Sequence, residues 1–150
     1  MNTLYRITEK LKAELDANVL LNTVTFGDIT DVDLDKGTIF PLAHVMLGNA
    51  TITDSTLNIG INIMFIDIVD ESKTTGDNFY GNDNEHDVLN SMLAAATKTT
   101  QELKRGISYK EGFHVAGDGD VEFFTDRFEN KLAGVSLDLN IEVTNASELC

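Results

Sequence analysis

The chain has 150 residues, 42% of them apolar, with 25 Asp and Glu against 11 Lys and Arg and a formal net charge of −14. That length suits one domain with a core of its own, which needs neither disulfide nor metal to fold. So acidic a surface argues against tight binding to nucleic acid or to an anionic membrane, since both rely on clustered cations. It does not forbid DNA passing close by, where repulsion prevents sticking.

The lone cysteine, Cys150, rules out a disulfide within the chain and fits a reducing compartment. A thiol there, with no histidine beside it in sequence, reads as structurally neutral rather than nucleophilic. The opening segment lacks a basic stretch followed by a continuous apolar run, and no run nears the roughly 18 apolar residues of a membrane span. The expectation is a protein made and assembled in a cytoplasm.

Residues 3–17 predict an amphipathic helix with Leu4, Ile7, Leu11 and Leu15 on one stripe, capped by Asn2 or Thr3. Thr23–Phe26 suits a strand, and Gly27-Asp28 and Lys36-Gly37 suit turns. Pro41, the only proline, fits a strand start or a sheet edge. Residues 42–53 read as a strand broken near Gly48-Asn49, with a turn at Asp54-Ser55.

Residues 56–69 form the clearest strand. Leu57, Ile59, Ile61 and Ile63 alternate with Asn58, Gly60 and Asn62, and from Ile63 to Ile66 both faces turn apolar. That half is expected to be buried on two sides. Residues 70–84 are a polar loop in which the aromatics Phe79 and Tyr80 are candidate anchors for a partner. A second helix follows over 85–105. Val88, Met92, Ala96, Thr99 and Leu103 make its stripe, Asn84 and Asp87 resemble a capping box, and Gly106 lies past its end.

Residues 107–126 predict one or two shorter strands around a turn at 116–120, with Val121, Phe123 and Phe124 in the core. The last strand, 134–144, alternates Val135, Leu137, Leu139, Ile141 and Val143 with polar residues, as an antiparallel sheet with one wet face requires. Residues 145–150 read as a loose tail. The order has no regular strand–helix alternation, so the predicted fold is α+β: one domain over 1–150, a mostly antiparallel sheet flanked by an N-terminal helix and a longer central helix.

No chemical motif stands out. His44, His86 and His114 lack metal-ligand spacing, and His44 in its apolar stretch reads as a satisfied sheet histidine. Asp31, Asp33 and Asp35 alternate like the start of a calcium loop. Position twelve falls on Leu42 where such a loop needs a bidentate Glu. Asp118-Gly119-Asp120 reads as a turn, and Asp67, Asp70 and Glu71 as solvated acids at a strand end. The expectation is no enzyme, no catalytic residue, no cofactor and no metal.

The order of elements, with Pro41–Val45 (PLAHV) and Asp126–Val143 (DRFENKLAGVSLDLNIEV), resembles small virion proteins of tailed bacteriophages of the tail-terminator or neck-ring type, closest to those of crAss-like Bacteroidetes phages. The resemblance spans most of the chain and rests on element order and texture. It implies a virion structural protein that forms a ring in the head-tail connector, neck or tail-terminator region, commonly six- or twelvefold. Its partners would be copies of itself and other neck, portal or tail proteins. The 70–84 loop would reach a neighbour, and wet strand faces with Asp138 and Glu142, or with Asp31 and Asp33, would line a DNA-facing channel without sequence-specific binding. A partner could also pair with the edge of the long strand. The alternative is a small cytoplasmic protein that binds an apolar ligand or peptide between sheet and helix.

Overall fold

A computed structural model describes residues 3–28, 39–69, 85–105, 113–127 and 132–144. The element order is α1 (Thr3–Asp16), β1 (Thr23–Phe26), β2 (Leu42–Ile52), β3 (Thr56–Ile68), α2 (Glu85–Lys104), β4 (Phe113–Arg127) and β5 (Leu132–Thr144). The fold is α+β: five strands in the order β1-β2-β3-β5-β4, mostly antiparallel, with an N-terminal and a central helix. Among the described residues only the β1–β2 pair is parallel.

Alternation decides which side chains meet the helices. In β3 and β5 the odd-numbered residues from Ile59 to Phe65 and from Ala133 to Val143 share one buried cluster with Ile7, Leu11 and Leu15 of α1 and Val88, Met92 and Ala96 of α2. Each such large side chain contributes about 1.5–3 kcal/mol by leaving water. Both helices therefore pack on one sheet face. The opposite face divides along its length. Leu42, Met64, Ile66 and Leu132 form a second apolar cluster with Phe40, so the sheet is buried on two sides there, as the run Ile63–Ile66 predicts. At the other end the same face is polar, where Asn62 Nδ2 donates to Ser136 Oγ at 2.7 Å and to Asp138 Oδ1 at 2.8 Å.

The helices join through a residue the hydrophobic pattern does not flag. Asn18, just past α1, is buried. Its Nδ2 donates to the Ala95 carbonyl of α2 at 3.2 Å, and its Oδ1 accepts from the Leu20 amide at 3.0 Å. The same carbonyl accepts from Thr99 Oγ1 at 2.9 Å, so the polar groups at this helix crossing have partners.

Pro41 stands immediately before β2, after a cis Phe40–Pro41 bond, and its carbonyl accepts from the Asn22 amide at 2.8 Å. The predicted break near Gly48-Asn49 is a shift in the β2–β3 register between Leu47 and Ala50. Here the backbones approach closely, and a Cβ on Gly48 would sit 3.2 Å from the Gly60 carbonyl oxygen.

Three expectations need correction. The turn at 116–120 is not a turn between strands. β4 runs through it from Phe113 to Arg127, and its register against β5 shifts between Ala116 and Asp120. Gly117 takes φ +69° at this bulge, and Lys104 Nζ donates to its carbonyl at 2.8 Å. A left-handed glycine serves a bulge and a turn equally, and the long partner β5 selects the bulge. Phe123 is not in the core: it is 57% exposed, on a strand that lies at the edge of the described sheet. Val121 and Phe124 do pack on the two clusters. At the start of α1, Leu4 is likewise 43% exposed, so its stripe begins at Ile7.

Candidate functional site at the open sheet edge

β1 has four residues and β2 has eleven, so β1 covers only Leu42–Val45. The last ladder bond runs from the Gly27 amide to the Val45 carbonyl at 3.1 Å. Gly27 then adopts φ +109° and turns the chain away. A Cβ there would meet nothing within 4 Å, so conformation rather than space calls for glycine. Among the described residues no strand pairs with the outer side of Met46–Ile52. Among the described residues this lane beside β2 holds no strand, and a strand edge of this kind presents backbone donors and acceptors.

The inner end of that lane is a groove of about 820 Å³. Val45, Met46 and Leu47 make its floor, Phe26, Gly27 and Asp28 one wall, and Thr8, Glu9 and Lys12 of α1 the other. Its floor is apolar and Leu47 is 49% exposed in it, while its rim carries Lys12 with Glu9 and Asp28. Lys12 also bridges Asp16 at 3.0 Å on the helix surface, a pair worth under about 1 kcal/mol.

His44 sets the position of the β1 wall. Its ring is fully buried, with Nδ1 2.6 Å from Thr25 Oγ1 and Nε2 2.7 Å from the Gly27 carbonyl oxygen. A carbonyl only accepts, so Nε2 carries the proton, Nδ1 accepts, and the Thr25 hydroxyl donates. Burial pushes the His44 pKa below its ordinary value, against smaller opposing effects of the Gly27 hydrogen bond and the Asp28 charge. The expected satisfied sheet histidine is therefore a neutral clamp that fixes Thr25 and Gly27.

The other residues singled out by sequence do not converge with it. β3 and β5 separate β2 from β4, which puts His44 and His114 on strands about 14 Å apart. His114 Nε2 lies 3.9 Å from Glu142 Oε1 on the polar part of the sheet. Asp118 and Asp120 are exposed along the β4 edge, and Asp138 is exposed on β5. Burial raises the Asp67 pKa, opposed by a bond from the Ile68 amide to its carboxylate at 2.8 Å. Among the described residues no three His, Cys, Asp or Glu side chains cluster as metal ligands. Phe79, Tyr80, Asp31, Asp33, Asp35, Asp70, Glu71 and Cys150 lie outside the described residues.

Sequence reasoning does not find the groove, because its lining comes from three segments that only the fold brings together. The one available signal is the length mismatch between Thr23–Phe26 and the strand that begins at Leu42. No described helix is long and apolar enough to cross a membrane. No protein-family model and no curated protein matches the chain.

Proposed function

We propose that the chain is a structural subunit that assembles with copies of itself into a ring in the neck or tail-terminator region of a tailed phage, alongside other neck, portal or tail proteins. The observation that carries this reading is that no described strand pairs with the outer side of Met46–Ile52, where Leu47 and Ile52 are exposed, an edge that favours pairing with another chain. The resemblance in element order supports the virion setting. The other sheet edge, β4, bears Asp118, Asp120 and Glu122, an acidic rim suited to soluble subunits that meet only at selected surfaces. Electron microscopy of the concentrated protein tests the reading. Closed rings of uniform diameter support it, and a field of single small particles contradicts it.

A second reading has its own observation. The groove between α1 and the sheet edge has the volume of a small-molecule site and an apolar floor. In this reading the chain holds an apolar ligand or an extended peptide there as a monomer. Saturable binding of an apolar fluorescent probe, lost on replacing Leu47 by Asp, supports it. Equal probe binding by both proteins contradicts it.

A further inference from the structure

We draw no further inference here: the strongest candidate, the apolar groove between α1 and the β1–β2 edge with Leu47 exposed in its floor, belongs to the site already described, and nothing among the described residues shows what covers it.

Discussion

Replacing His44 by Leu removes the clamp on the short strand β1 and gives a pH signature with a definite sign. At neutral pH the substitution leaves the Thr25 hydroxyl without an acceptor and the Gly27 carbonyl without a donor. A hydrogen bond of this kind contributes about 1 kcal/mol, and the added apolar burial offsets part of the loss, for a net cost of about 1–3 kcal/mol. For a chain of this length that lowers the melting temperature by roughly 3–10 °C. The folded-state pKa of His44 lies below its unfolded value because burial disfavours the charged ring. As pH falls below about 6.5 the unfolded chain takes up a proton that the folded protein refuses. Wild type then loses up to about 1.4 kcal/mol per pH unit from this group, until pH reaches the lowered folded value. The variant has no such group. Asp67, whose raised pKa acts in a more acidic window, is common to both proteins and cancels in the difference. Urea denaturation of both proteins between about pH 7.5 and pH 5.5 should show the stability gap closing with acid. A gap that stays constant or widens refutes the reasoning. Amide exchange adds a local check: the Gly27 amide, bonded to the Val45 carbonyl, should exchange faster in the variant, because β1 is no longer held from its side chains.

Asn18→Ala deletes the side-chain link between the end of α1 and α2 and should cost about 1–3 kcal/mol, read as a fall in the urea midpoint at unchanged slope. Gly134→Ala should prevent folding or cost more than about 3 kcal/mol, because a Cβ there overlaps the Phe65 carbonyl oxygen in the central β3–β5 ladder. Soluble yield and far-ultraviolet dichroism check it, and a variant as stable as wild type contradicts the close approach. Self-association should strengthen as salt is raised from low ionic strength, since screening relieves repulsion between subunits of net charge −14. Sedimentation across a salt series reads this, and steady weakening by salt would instead indicate a contact held by ion pairs.

The elements legible in the sequence are those whose pattern is set by one face meeting one core. α2 reads correctly from Val88 to Leu103 because an amphipathic stripe needs only a surface to lie on. β3 reads correctly, including its two-sided burial from Ile63 to Ile66, because alternation gives way to a continuous apolar run there. The bulge at Gly117 is not legible, since a left-handed glycine among aspartates is also the chemistry of a turn. Only the partner strand β5 distinguishes the two. Phe123 reads as core on composition, and it is exposed on a strand at the edge of the described sheet, which is a matter of strand order. Asn18 carries no pattern at all, because its role comes from a hydrogen bond to a residue far along the chain. The groove is hidden for a related reason: the stop of β1 at Gly27-Asp28 is legible, but its parallel pairing with β2 has no local sequence signal.

The central claim is that this chain works by joining copies of itself, and native mass by light scattering after size exclusion tests it most directly. Across a concentration series the account predicts passage from a single chain of 16.5 kDa to one discrete closed assembly, with few intermediates and no open-ended growth. A mass that stays at one chain over the whole range would contradict it.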